Sequence, residues 1–218
     1  MKIINPAVLR DLEAGIGLRL DMGCGRKPRP GFYGVDQLEL PEVSIVSDLN
    51  KPLSGLPDDS VVEIRTRHTL EHVTEFLPLM KEFHRITRSG GRIEIVVPHF
   101  SNPYGYSDPT HVRFFGLYSF FYFAHEANQP RRKVPSFYLL ERFAVEQVRI
   151  KLLKGSLFNK LVNRPLTWFI NSRLSRQDWY ERSLCRWIPA ESIGYVLQPK
   201  KGIPVTGVES APNLAKAG

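Results

Sequence analysis

Short apolar runs separated by polar or helical stretches recur along the first hundred residues, at 16–22, 34–36, 44–47, 61–66 and 92–97. Strands alternating with crossovers predict a parallel sheet of the α/β class. Between the last two runs, Phe76, Leu79, Met80, Phe83 and Ile86 recur at helical spacing, predicting a helix over 76–88 that Ser89-Gly90-Gly91 stops. A shorter amphipathic helix is expected over 6–13, with Pro6 in its first turn and Val8, Leu9 and Leu12 on one side, covering the sheet edge. Residues 143–150 alternate like a strand, and 192–197 suit its antiparallel partner. After Pro98 the periodicity gives way to ten aromatic residues between Phe100 and Phe123. Such density fits either a substrate pocket or a lid packed on the core.

Length changes this picture only by limiting it. The chain of 218 residues suits one domain with a modest insertion. That domain is expected over 1–203, with a basic, aromatic helical insertion at 151–191 and a small, polar, frayed or disordered tail at 204–218. A hydrophobic fraction of 42% and a charged fraction of 24% are those of a chain that folds. The net charge of +8 favours an anionic partner: nucleic acid, a phospholipid surface or a phosphorylated substrate. Cys24 and Cys185 stand in unrelated contexts, which suggests neither a disulfide nor a metal site and fits a reducing cytosol. The first residues lack the pattern of a signal peptide, and no apolar run is long enough to span a bilayer.

Candidate chemistry begins at Asp21-Met22-Gly23-Cys24-Gly25. A glycine turn after a buried strand lets backbone approach a ligand closely, because glycine tolerates positive φ and has no Cβ. Asp36, at the end of the next strand, is a carboxylate suited to both hydroxyls of a ribose at the rim where open α/β sheets bind ligands. A tight turn and an ordinary surface aspartate would read the same way. The larger set, Asp21-x-Gly23-Cys24-Gly25, Gly34-Val35-Asp36, Ser47-Asp48-Leu49, Leu70-Glu71-His72 and residues 85–91, closely resembles in order and spacing the motifs of class I S-adenosylmethionine-dependent methyltransferases. The similarity covers roughly residues 16–125. It implies a Rossmann-like α/β sheet of about seven mostly parallel strands, with a terminal antiparallel hairpin carrying the helical insertion. It further implies that Gly23 and Gly25 line the methionine end of S-adenosylmethionine, that Asp21 and Cys24 belong to the same cofactor site, that Asp36 takes the ribose hydroxyls, that Asp48 and the Leu49 backbone meet the adenine, and that His68 lies beside the methionine portion or sulfonium. Two departures stand out. Lys27 replaces the usual third glycine, and the 15 positions from Asp21 to Asp36 are too few for a full crossover helix.

Past the fifth apolar run, Asp108, His111 and Arg113 offer an acid, a base and a cation within six residues, where this fold builds its acceptor site. An Asp-Pro turn stabilising a lid would use the same residues. His99 is a second candidate base, Glu71-His72 is either chemical or a helix start, and methyl transfer can also proceed by proximity without a base. In the insertion, Leu157, Phe158, Leu161, Val162, Leu166, Trp168, Phe169, Ile170, Trp179 and Trp187 interleave with Lys160, Arg164, Arg173, Arg176, Arg182 and Arg186. Core packing, an anionic membrane interface over 157–188 and single-stranded nucleic acid are all compatible, and the grouped aliphatics favour the membrane. The expected activity is methylation of oxygen or nitrogen on a small-molecule or glycan- or lipid-linked acceptor, without a metal. The chain is expected in the cytoplasm, peripheral on the inner membrane face. An RNA methyltransferase is the second reading, although no Asn-Pro-Pro-Tyr-like motif occurs, and an inactive cofactor-binding scaffold is the third.

Overall fold

The computed structural model describes residues 1–153 and 157–202. Its elements run β1 (Lys2–Ile3), α1 (Pro6–Glu13), β2 (Leu18–Met22), β3 (Tyr33–Asp36), β4 (Ile45–Val46), β5 (Val61–Arg67), α2 (Phe76–Ile86), β6 (Thr87–Pro98), β7 (Arg142–Leu152), α3 (Leu157–Ile170), α4 (Leu174–Ser183) and β8 (Ala190–Lys200). One sheet joins the strands in the order β1-β4-β3-β2-β5-β6-β8-β7. The five strands from β4 to β6 are mutually parallel, whereas β8 inserts antiparallel between β6 and β7. The expected parallel sheet and terminal hairpin are therefore present. An eighth strand, β1, pairs antiparallel with β4 and is only two residues long, too short to leave a pattern in the sequence.

Two local expectations need correction. Helix α2 ends at Ile86, where the Thr87 N–H bonds to the Phe83 carbonyl, and Ser89-Gly90-Gly91 already belongs to β6. Thr87, β-branched and extended, pairs with Val61 and so draws the chain into the sheet early. In α1, Val8 is fully buried but Leu9 is exposed, because neighbouring helical positions point about 100° apart. The expected tail at 204–218 lies outside the described residues, as do the side chains of Leu157, Phe158, Lys160, Leu161 and Val162.

The link from β2 to β3, residues 23–32, contains no helix, as its short spacing predicts. Its absence is felt on one face of the sheet. Register places Leu20, Met22, Ile64, Ile93, Ile95, Tyr195 and Leu197 on one side, each at most 1% exposed and packed with α1, α2 and the aromatic segment in a single core. The other side carries Arg19, Glu63, Arg65, Arg67, Arg92, Glu94, Arg149 and Lys151, all exposed or half-buried, where a second helical layer would need apolar side chains. Segment 24–32 covers part of that face. The Arg29 N–H donates to Asp21 Oδ2 at 2.8 Å, and the Phe32 ring lies under the guanidinium groups of Arg19 and Arg29. Parallel strands are normally buried on both faces. Here one apolar layer must hold the domain.

The α3–α4 hairpin closes along the outer edge of β7. Asn171 imitates a neighbouring strand: its Oδ1 accepts the Ile150 N–H and its Nδ2 donates to the Ile150 carbonyl, both at 2.7 Å. Gln177 Nε2 donates to the Val148 carbonyl. These bonds satisfy edge groups that would otherwise invite another chain.

Candidate functional site

The C-terminal ends of β2, β3, β4 and β5 converge on one rim, and the glycine turn after β2 makes that possible. Gly23 adopts φ +68° with its α-carbon against Thr69; a Cβ there would sit 2.2 Å from the Thr69 hydroxyl. Gly25, at φ +55°, faces open space. Its N–H donates to Asp36 Oδ2 at 2.8 Å, while the Leu38 N–H donates to Oδ1 at 3.1 Å. Each Asp36 oxygen thus keeps a lone pair for a further donor. Asp48 turns back on itself: Oδ1 accepts from the Asn50 N–H and side-chain amide, which together with Lys51 hold its carboxyl below the usual carboxylate range. Asn50 Oδ1 in turn accepts the N–H groups of Thr74 and Glu75, tying this turn to the chain after β5.

His68 directly follows β5 in a left-handed conformation, φ 51°, with its N–H on the Val96 carbonyl. Non-glycine residues adopt this region uncommonly and concentrate there at functional sites. Asp21 is 8% exposed, and its Oδ2 accepts the Arg29 N–H. The Cys24 Sγ lies beside Gly34, and burial, then Asp36 and Asp21, push its thiol up to about 12. It stays a neutral thiol at ordinary pH.

Beside this rim, loop 108–115 docks onto the residues that follow β5. The Val112 N–H donates to the Glu71 carbonyl at 2.9 Å, and the Arg113 guanidinium donates to the carbonyls of Val73 and Thr74 while lying over the Phe76 ring. Asp108 accepts from the Thr110 hydroxyl and N–H, which lower its carboxyl, and lies 3.7 Å from His111 Nε2. The rings of His111 and His72 meet edge-on at 4.8 Å. Contacts therefore run unbroken from Gly23 through Thr69 to His68, Glu71, His72 and His111. Sequence spacing gave no sign that Glu71-His72 would join Asp108 and His111.

His99 does not join them. Its side chain is fully buried, with Nδ1 on the Ser101 hydroxyl at 2.8 Å and Nε2 on Glu181 at 3.0 Å. With both nitrogens taken by protein, His99 fastens α4 to the end of β6 and has none left for a substrate proton. The aromatic segment is also divided. Phe115, Phe120, Phe121 and Phe123 are buried core, whereas Tyr104, Tyr106 and Phe114 are exposed.

Among solved structures, a Haloferax volcanii protein described as a methyltransferase in complex with the Trm112 methyltransferase activator aligns with a TM-score of 0.50, at 15% identity over 86% of this chain and 84% of that one. The fold is the Rossmann-like methyltransferase fold. A SAM-dependent methyltransferase from Archaeoglobus fulgidus matches at 18% identity over 88% of this chain and 91% of that one, with a TM-score of 0.48. The YcgJ protein of Bacillus subtilis matches at 14% identity over 89% and 98%, with a TM-score of 0.49. No family model matches the sequence, and no curated protein does.

Proposed function

We propose that the chain is an S-adenosylmethionine-dependent methyltransferase acting on oxygen or nitrogen of a small-molecule or glycan- or lipid-linked acceptor. The observation that carries this reading is the Gly25–Asp36 pair: an open glycine turn bonded to a carboxylate whose remaining lone pairs can take two ribose hydroxyls. Asp48 and Leu49 then lie at the adenine, and His68 at the methionine end. An acceptor lone pair attacks the methyl carbon in line with the carbon–sulfur bond. The new carbon–oxygen or carbon–nitrogen bond forms as the old bond breaks, its electron pair returning to sulfur to leave the neutral thioether. The acceptor proton passes to water or to the Asp108–His111 pair. Positioning supplies much of the acceleration for such a displacement. Transfer of labelled methyl groups to a panel of hydroxyl and amine acceptors tests the reading. Labelling above background of at least one acceptor, lost in an Asp36→Ala variant, is expected; no transfer to any of them counts against an enzyme and favours the scaffold.

The lipid-linked acceptor draws support from the hairpin. Trp168 is 74% and Trp187 84% exposed, with Phe169 and Trp179 partly so, and Arg164, Arg173, Arg182 and Arg186 are exposed among them. Leu166, Ile170, Tyr180 and Ile188 instead pack on the core, so only part of the aromatic content is free for a membrane. Among the described residues no helix is long and apolar enough to cross one. Co-flotation with anionic liposomes is expected to fall to background in a Trp168→Ser, Trp187→Ser variant; equal flotation of both proteins would remove the lipid argument.

RNA methylation remains a second reading because of the arginine-bearing open face of the sheet. Its signature would be RNA affinity that falls steeply with salt.

A further inference from the structure

Three chemistry-bearing side chains meet where loop 108–115 docks, and the activity proposed above leaves one of them unexplained. Glu71 is 1% exposed, yet its Oε2 has no hydrogen-bond partner, and its Oε1 has only His68 Nδ1 at 3.5 Å. A buried carboxylate so poorly matched costs several kcal/mol unless a cation completes it. One ligand atom from each of Glu71, His72 and His111 lies within 4.8 Å of the others.

The surrounding bonds fix what those imidazoles present. The Thr110 hydroxyl commits its single proton to Asp108 Oδ1 at 2.6 Å, so at 2.8 Å from His72 Nδ1 it can only accept. His72 therefore carries its proton on Nδ1. His111 Nδ1 lies 2.8 Å from the Gly105 carbonyl, which also can only accept. With the proton on Nδ1, Nε2 is the atom each imidazole has to offer a metal, and an oxygen holds the ring from its other nitrogen; His111 Nε2 also lies 3.7 Å from Asp108 Oδ2. That is the outer-sphere arrangement by which proteins orient metal-bound histidines. Two imidazoles and a carboxylate form a donor set for a divalent transition ion, with further positions left for a water or substrate oxygen.

We propose that Glu71, His72 and His111 bind one divalent ion of the zinc class. Ligands in a tetrahedral zinc site stand roughly 3.4 Å apart at bond lengths of about 2.0–2.1 Å. Closing separations of up to 4.8 Å to that span takes a shift of about 1.4 Å, shared between the exposed His72 side chain and its partners. Resting on the methyltransferase reading, the ion would sit beside the acceptor and occupy His111 Nε2: a hydroxyl on its open position then loses its proton to water and not to His111, and the resulting alkoxide takes the methyl group.

The test uses untagged full-length chain stripped with a chelator and titrated calorimetrically with Zn2+, then separately with S-adenosylhomocysteine. One saturable equivalent of Zn2+ per chain is expected. His72→Ala, His111→Ala and the near-isosteric Glu71→Gln should each weaken it at least about ten-fold. Co2+ should give a visible absorption band that the same variants lose. Retained S-adenosylhomocysteine heat in the variants shows that they are folded. No saturable Zn2+ or Co2+ binding by the wild-type chain, or unchanged binding in His72→Ala and His111→Ala, overturns the metal site whatever S-adenosylhomocysteine does. Zn2+ binding without any S-adenosylhomocysteine heat would instead sink the cofactor reading and leave the metal site standing.

Discussion

Replacing Asp36 with Ala should weaken S-adenosylmethionine binding by about two orders of magnitude while leaving the fold intact. Two hydroxyl donors to a carboxylate are worth about 1.5 kcal/mol each, hence about 3 kcal/mol and about 100-fold in affinity. The same substitution also frees the Gly25 N–H, which now donates to Asp36 Oδ2 at 2.8 Å. Gly25 faces open space, so that N–H can turn to water and the loss should fall on the ligand more than on stability. Calorimetry beside a thermal melt separates the two. An Asp36→Ala protein that binds like the wild type would show that the carboxylate serves only the turn.

Phe120→Ala should be the most damaging single change to the core. Its ring is fully buried between Phe76, Phe115, Phe123 and Tyr195, joining the aromatic segment to α2 and β8. Truncating a buried phenylalanine costs about 3–5 kcal/mol. A doubly covered sheet would have a second apolar layer to rely on; this one has a single layer. The melting temperature should therefore fall by roughly 10 °C. Because Phe115 follows His111 by four residues, loosening that ring should also release the docked loop, visible as faster proteolysis between 104 and 118. A shift of a degree or two would mean that the segment is a lid resting on the core and not part of it.

The rim was largely legible because its signals are local. A glycine turn at a strand end and a carboxylate at the end of the next strand are set by backbone geometry within a few residues, and the missing crossover helix follows from spacing alone. The uncovered sheet face was written in the sequence but easy to misread. Glu63, Arg65 and Arg67 alternate with Ile64 and Thr66, as Arg92 and Glu94 alternate with Ile93 and Ile95. Strands buried on both faces would instead read as continuous apolar runs. His99 illustrates what spacing cannot supply. It follows a strand end as a catalytic base would, yet Glu181, 82 residues away, takes its Nε2. Likewise Glu71 and His111 are brought together by the Val112 N–H and the Arg113 guanidinium, bonds that exist only once the loop has folded back.

The central question is whether the rim of β2, β3, β4 and β5 takes the cofactor. Calorimetric titration of the wild-type chain with S-adenosylhomocysteine measures that directly. One binding event per chain, strongly reduced by Asp36→Ala and by a Gly25 substitution, is the predicted result. A folded wild-type chain giving no heat of binding with either S-adenosylhomocysteine or S-adenosylmethionine would contradict it.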